Sequence, residues 1–85
     1  MFTIRNESEE PVDLYRISRA HGQPEGPDLV TTLMPGDSFA TEFGDHRCST
    51  DYTFTAEVDG QEVAEFGPRL CSGRTEIIGA DPTSN

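Results

Sequence analysis

The segment 52–66 carries the sequence feature that most constrains the fold. Apolar residues alternate with polar ones in its first half, which is the period of a β-strand with one buried face. Tyr52, Phe54, Ala56 and Val58 share one face, and Thr53, Thr55 and Glu57 share the other. Asp59-Gly60 follows, a dipeptide favoured in two-residue turns because both positions need a positive φ. The segment therefore predicts a β-hairpin, with 61–66 as the returning strand.

Strand signals also dominate the rest of the chain. We predict seven short strands, at 2–5, 12–18, 29–33, 37–43, 52–58, 61–66 and 74–78. The apolar residues of 12–18 fall at even positions in the first half and at odd positions in the second half. This change predicts a bulge or a strand covered on both faces. Met34-Pro35-Gly36-Asp37 predicts a turn, and the Pro- and Gly-rich segment from His21 to Asp28 predicts a loop. No segment has the apolar period of a helix, so the sequence predicts a small antiparallel β-sandwich or barrel, with the sandwich preferred.

A chain of 85 residues is the size of one domain. We assign 1–79 to a single β-sandwich domain and expect 80–85, which is rich in polar residues and Pro, to be a flexible tail. Such a domain has little room for a deep substrate cavity, which disfavours an enzyme.

The triplet Asn6-Glu7-Ser8 follows the first predicted strand and matches a glycosylation sequon. That match matters only in a eukaryotic secretory route. We interpret the triplet instead as a strand-ending turn, in which the Asn and Ser side chains form local hydrogen bonds.

The charge balance restricts the class of partner. Sixteen Asp and Glu residues face six Arg, and the net charge is −10. Such a chain repels nucleic-acid phosphates and anionic membranes, so we expect direct binding to neither. The acidity fits either general solubility or a surface that attracts a basic partner. The acidic residues are spread along the chain, which favours solubility.

The residues that could carry catalysis or bind a metal are few. The chain has two His residues, His21 and His46, and no nucleophile elbow or phosphate-binding glycine loop. A zinc site from both His and both Cys residues is disfavoured, because structural zinc ligands usually come in closely spaced pairs. We therefore predict a protein that is not an enzyme and uses no cofactor or metal.

Cys48 and Cys71 are interpreted as a disulfide pair. Each lies just before a predicted strand, and strands that start at the same end of a sandwich would bring them together. Two separate free thiols remain the main alternative. A bond would favour export, because disulfides persist in oxidising compartments. The N-terminus lacks the pattern of a signal peptide, so we expect a cytoplasmic protein unless a leader has been removed.

Aromatic and Arg side chains outside the core would mark a binding surface. The candidate binding residues are Tyr15, Arg16, Arg19, His21, His46 and Arg47. We expect the binding face to combine the loops 21–28 and 44–51 with Tyr15 or Arg16 of the predicted strand 12–18. The alternative is that Tyr15 belongs to the core and that solvent surrounds the Arg residues.

Several short motifs resemble the β-domain of the von Hippel–Lindau tumour suppressor family and its bacterial relatives. They are Asn6-Glu7-Ser8, Pro11 to Ile17, Thr32 to Ser38, Gly44-Asp45-His46 and Arg74 to Ile78. The resemblance covers about residues 2–79 and implies a seven-stranded β-sandwich that binds a peptide. In that family the peptide carries a hydroxylated proline held by His, Ser, Tyr and Trp side chains. Only His46 matches this set; Cys48 stands at the Trp position and Val30 near the Tyr position.

Together these features predict a non-catalytic β-sandwich module that binds a protein or a peptide. Two alternatives stay open. One is an acidic inhibitor that blocks a basic site on a target protein, for example a nucleic-acid-binding site. The other is a secreted structural domain stapled by one disulfide.

Overall fold

The computed structural model describes residues 1–19 and 23–79, in which the chain forms nine β-strands and no helix. The strands are β1 Phe2–Asn6, β2 Val12–Ser18, β3 Glu25–Leu33, β4 Ser38–Thr41, β5 Cys48–Ser49, β6 Tyr52–Val58, β7 Gln61–Phe66, β8 Leu70–Cys71 and β9 Thr75–Ile78. The expected tail at 80–85 lies outside the described residues. Within them, no helix is long and apolar enough to cross a bilayer.

The strands form two main sheets and a short ribbon. A four-stranded sheet has the order β3-β2-β6-β7, a three-stranded sheet has the order β4-β1-β9, and β5 pairs with β8. Strands β1 and β9 run parallel, whereas every other pair is antiparallel. The fold class predicted from the sequence, a small all-β sandwich, is therefore confirmed.

The core lies between the two main sheets. Each sheet contributes the apolar face that its alternating sequence predicts, and β8 adds Leu70. The buried apolar side chains are Phe2, Ile4, Val12, Leu14, Leu33, Phe54, Ala56, Leu70 and Ile78. This single cluster holds the sheets face to face, so the loops at the two ends of the sandwich have a fixed support.

The hairpin of β6 and β7 forms as predicted. Asp59 has a φ of 53° and Gly60 a φ of 80°, and Val58 pairs with Gln61 across the two-residue turn. The turn at 34–37 also forms, with the amide of Asp37 donating to the carbonyl of Met34 at 2.9 Å.

Strand β2 has the predicted bounds and the predicted bulge. Its pairing with β3 shifts register between Leu14 and Tyr15 and again between Arg16 and Ser18, while its pairing with β6 is regular. The change of phase in the sequence therefore marks an irregular edge pairing.

The prediction of a loop through Asp28 is wrong for its last four residues, because β3 begins at Glu25. Strand β3 is at the edge of its sheet, where Pro27 removes no hydrogen bond from a central ladder. Gly26 lies close to the neighbouring strand: a Cβ atom there would stand 2.8 Å from the carbonyl oxygen of Arg16. Gly and Pro here fit an edge strand, although in the sequence they resemble a loop.

Candidate functional site

The candidate site lies at the end of the sandwich where β2 ends and β6 begins. The segment between β4 and β6 covers this end, and the short strand β5 within it pairs with β8. The backbone amide of Arg19 donates to the carbonyl of Asp51, which joins the end of β2 to this segment. The end of β2 and the segment between β4 and β6 are therefore neighbours.

A cavity of about 390 Å³ opens in this segment, and we refer to it as the loop cavity. Its size falls in the range of about 300–1,000 Å³ that is usual for ligand sites. The lining consists of two aromatic side chains, two carboxylates, an imidazole, the hydroxyls of one Ser and one Thr, and the sulfur of a Cys. The lining residues are Glu42, Phe43, His46, Cys48, Ser49, Thr50, Asp51 and Tyr52.

The wall of the loop cavity is anchored by the Cys48–Cys71 disulfide. The two Cα atoms are 4.0 Å apart and face each other in the β5–β8 ribbon. Beside the bond, the amide of Ser72 donates to the carbonyl of Arg47 at 2.7 Å. Leu70 in the same ribbon is buried in the core. The wall is therefore held to the sandwich by a covalent bond, a hydrogen bond and a buried side chain.

Local hydrogen bonds shape the two sides of the loop cavity. The amide of His46 donates to the carbonyl of Phe43 at 3.1 Å, which closes a tight turn. The amide of Asp51 donates to Ser49 Oγ at 3.1 Å. The Ser49 hydroxyl thus accepts a bond from its own loop, as in an ordinary Ser turn.

The two aromatic side chains of the lining, Phe43 and Tyr52, each contact a residue outside the loop cavity. The Phe43 ring packs against the core residue Phe2, with ring centroids 6.4 Å apart. The guanidinium carbon of Arg16 lies 5.3 Å from the centroid of the Tyr52 ring, within the distance of a cation–π contact. Arg16 in β2 therefore reaches the residue that forms one wall of the loop cavity.

The electrostatics of the loop cavity are mixed but mainly acidic. Glu42 and Asp51 are exposed and lie on its lining, and His46 is exposed between them in sequence. Within residues 1–19 and 23–79 the one ion pair joins Arg5 to Glu7, on the other main sheet. The carboxylates of the loop cavity are thus available to a cationic group of a ligand.

The structure separates the predicted binding residues into two groups. Arg16, His46 and Arg47 lie at or beside the loop cavity. Tyr15 and Arg19 lie on the opposite face of the four-stranded sheet, because successive strand residues alternate between faces. There Arg19 Nε donates to Thr53 Oγ1 at 3.1 Å, and Tyr15 is half-buried. His21, together with the first part of the predicted loop, lies outside the described residues.

The described residues contain no cluster of three or more His, Cys, Asp or Glu side chains that could hold a metal ion. Cys48 and Cys71 are joined to each other, so neither offers a thiolate ligand.

The sequence interpretation missed several lining residues of the loop cavity, above all Tyr52 and Asp51. The sequence places Tyr52 on the apolar face of β6, and the structure keeps it on the same face as Phe54 and Ala56. A signal was present, however: the first residue of a strand after a polar loop lies at the end of the sheet, where the core no longer covers it. Tyr52 is half-buried there, and its ring meets both Arg16 and the loop cavity.

No protein-family model matches the chain, and no curated protein and no solved structure shows significant similarity to it. The site is therefore interpreted from its own geometry.

Proposed function

We propose that this chain is a non-catalytic β-sandwich module that binds a protein or peptide at the loop cavity. The observation that carries the proposal is the pre-formed wall of this cavity, anchored by the Cys48–Cys71 bond and bordered by the Arg16–Tyr52 contact. A wall that is already ordered loses little conformational entropy when a ligand binds, so more of the contact energy remains as affinity.

The chemistry of the lining indicates what kind of segment would fit. The rings of Phe43 and Tyr52 offer apolar surface, and the carboxylates of Glu42 and Asp51 offer partners for a cation. A partner segment that inserts an aliphatic or proline side chain next to a Lys or Arg satisfies both. Aromatic anchors with a polar rim are typical of interfaces in which a few residues supply most of the affinity.

The resemblance to the von Hippel–Lindau β-domain family supports peptide binding at the same place. His46, which matches the family's pocket His, lies on the lining of the loop cavity. The proposal does not include hydroxyproline recognition. The residue at the family's Trp position is Cys48, which is part of the disulfide, and Val30 packs against the core.

The test is to capture partners from a lysate of the native host on immobilised protein, at low and at high salt. We expect a partner that is retained by the wild type and lost from the double variant Arg16→Ala/His46→Ala. The matched control is Arg5→Ala/Met34→Ala, whose exposed residues lie toward the opposite end of the sandwich. Equal capture by the double variant and the wild type would contradict the proposal.

The comparison of capture at low and at high salt tests the acidic-inhibitor alternative. Charges on an exposed surface are screened over about 8–10 Å at physiological ionic strength. An inhibitor that works by its net charge of −10 would lose its target steeply as salt rises. Binding at the loop cavity should weaken only modestly at high salt, because salt screens the pairs with Glu42 and Asp51 but not the apolar burial at the aromatic walls.

A second candidate function, a secreted structural domain, is supported by the disulfide alone. A bond of this kind persists in oxidising compartments and is rare in the cytosol. Under this candidate the bond supplies stability and the loop cavity has no ligand. The two candidates differ in the capture experiment, where a structural domain retains no partner that depends on Arg16 or His46.

A further inference from the structure

A second surface, independent of the proposed function, lies along one open side of the sandwich. Strand β7 is terminal in the four-stranded sheet and β9 is terminal in the three-stranded sheet. A cleft of about 500 Å³ lies between them, and we refer to it as the edge cleft. Its lining includes Glu10, Val58, Asp59, Val63, Ala64 and Ile77, and it shares no lining residue with the loop cavity.

The edge cleft contains two exposed apolar side chains. Val63 is 54% exposed and Ile77 is 38% exposed, and both line the cleft. Ala64 and Val58 pack against the core from the same side. The cleft therefore offers apolar surface next to the edge of β7, with which no further strand pairs among residues 1–19 and 23–79.

The two edges of the four-stranded sheet differ in their protection. Strand β3 contains Pro27, which lacks the amide needed to pair with an added strand. Strand β7 contains no Pro, but its pairing with β6 shifts register between Ala56 and Glu57, which leaves Val63 as an extra residue in β7. The exposed charges of β7 are the carboxylates of Glu62 and Glu65. Charges on an edge strand repel strands of like charge but leave the edge open to a strand of opposite charge.

Charge complementarity identifies the occupant. The carboxylates on the lining of the edge cleft belong to Glu10 and Asp59, and no Arg is among its lining residues. Arg5, in β1 of the neighbouring sheet, is paired with Glu7 at 3.0 Å. A second copy of this chain, with its net charge of −10, would be repelled. A basic segment would be attracted.

The dimensions fit one added strand. Six residues of β7 span about 20 Å at about 3.3 Å per residue. A second cavity of about 440 Å³ continues the open side, from Glu65 and Phe66 on β7 to Glu76 on β9. Arg69 and Arg74 also line this second cavity, so the acidic part of the open side is the edge cleft with the β7 edge as far as Glu65. Together the two cavities border β7 from Gln61 to Phe66, and a segment of six to eight residues could lie along it.

We propose that the β7 edge binds, by strand addition, an extended partner segment in which apolar residues alternate with Lys or Arg. The backbone of the segment pairs with β7, its apolar side chains enter the edge cleft beside Val63 and Ile77, and its cations face Glu62, Glu65 and Asp59. In this binding mode main-chain hydrogen bonds supply affinity, and the alternating side chains supply specificity.

The test uses a capped synthetic peptide of four Val alternating with four Lys, titrated into the ¹⁵N-labelled full chain. We expect saturable binding, with the largest amide shifts in 61–66 and in 75–79. Affinity should fall at least about tenfold, the effect of one strong contact, for a peptide with Glu in place of Lys. A similar loss is expected for a block peptide of four Val followed by four Lys, because it keeps the charge but loses the alternation.

Backbone methylation separates strand addition from side-chain docking. One peptide is N-methylated at its odd positions and another at its even positions, so each loses the donors along one edge. Strand addition predicts that only one of the two loses binding. Equal loss or equal retention would overturn the proposal, as would shifts confined to β3 or no saturation at millimolar peptide.

Protein variants complete the test. Val63→Arg should weaken binding at least about tenfold, whereas Leu29→Arg, 58% exposed on the other edge strand, should leave it within about twofold. The exposed pair Glu62→Lys/Glu65→Lys should reverse the preference, so that the Glu peptide binds better than the Lys peptide. Unchanged preference in this double variant, or equal effects of Val63→Arg and Leu29→Arg, would contradict the proposal.

Discussion

The side-chain amide of Asn6 in β1 donates to the carbonyl oxygen of Leu33 in β3 at 2.8 Å, across the interior between the two sheets. Asn6 is fully buried, and its amide also donates to the carbonyl of Glu10 at 2.9 Å. Its Oδ1 accepts bonds from the amide and the hydroxyl of Ser8. The predicted Asn–Ser turn therefore forms, and the same Asn links the two layers of the sandwich.

Replacing Asn6 should be among the most destabilising single changes in the chain. Asn6→Ala leaves the buried carbonyl of Leu33 and the partly buried carbonyl of Glu10 without a donor. We expect a loss of about 2–4 kcal/mol in the free energy of unfolding, since an unsatisfied buried group costs about 1–3 kcal/mol. Urea unfolding followed by circular dichroism measures this. Ser8→Ala is the control and should cost about 1 kcal/mol, because it removes one partner of an interaction that solvent can partly replace. A cost below about 1 kcal/mol for Asn6→Ala would contradict the role assigned to it.

The Cys48–Cys71 bond should be present in the native protein and should supply a large share of its stability. A thiol count under denaturing conditions without reductant should find no free thiol. Reduction should lower the free energy of unfolding by about 3–4 kcal/mol, the chain-entropy value for a loop of this length. The double variant Cys48→Ser/Cys71→Ser is the control, because reductant should not change its stability. Two reactive thiols in the untreated protein would refute the assignment.

Gly26 in β3 and Gly36 in the following turn are matched positions for testing how closely β3 packs against β2. Both have a positive φ, of 111° and 89°, so Ala is strained at either position. At Gly36 the added Cβ meets open space, and we expect a cost of about 1 kcal/mol. At Gly26 it meets the carbonyl of Arg16, and we expect about 2–3 kcal/mol, because strain and a steric clash add. If thermal unfolding gave the same loss of stability for both variants, the close approach of β3 to β2 at Gly26 would not contribute to the cost of Gly26→Ala.

Filling the loop cavity should block the proposed partner without disturbing the core. Thr50 is exposed and lines the cavity, so Thr50→Trp places a large ring there. We expect partner affinity to fall at least about tenfold while the unfolding midpoint stays unchanged. Ser38→Trp, exposed on β4 toward the other end of the sandwich, is the control and should bind normally.

Local sequence signals predicted the parts of the fold that local chemistry determines. Asp59-Gly60 predicted the hairpin because few residues accept two successive positive φ values, and the bounds of β2 followed from its apolar pattern. The parallel pairing of β1 with β9 joins residues more than 70 positions apart and has no local signature. Strands β5 and β8 have two residues each, too few for any period to show.

The outer face of β6 shows why burial is harder to predict than strand position. Thr53 and Thr55 were assigned to a polar face, yet both are buried. Strand β6 is central in its sheet, so side chains from β2 and β7 cover its Thr residues, and Arg19 donates to the Thr53 hydroxyl. A Thr accepts such a position because its methyl group packs while its hydroxyl bonds.

The candidate site was predictable only in part. The sequence indicated Arg16 and His46 by residue type, but their proximity depends on the fold, through Tyr52 and the loop between β4 and β6. That Tyr15 and Arg16 face opposite sides does follow from strand alternation. Strand alternation alone therefore excludes a single binding patch that contains both side chains.

The most direct test of the binding module is an amide chemical-shift map of the ¹⁵N-labelled protein with the partner it captures from the host lysate. The account predicts that the largest shifts fall in 42–52 and around Arg16, and that Arg16→Ala/His46→Ala abolishes them. Shifts confined to other parts of the sandwich, or no captured partner that depends on Arg16 and His46, would contradict the assignment of the loop cavity as the binding site.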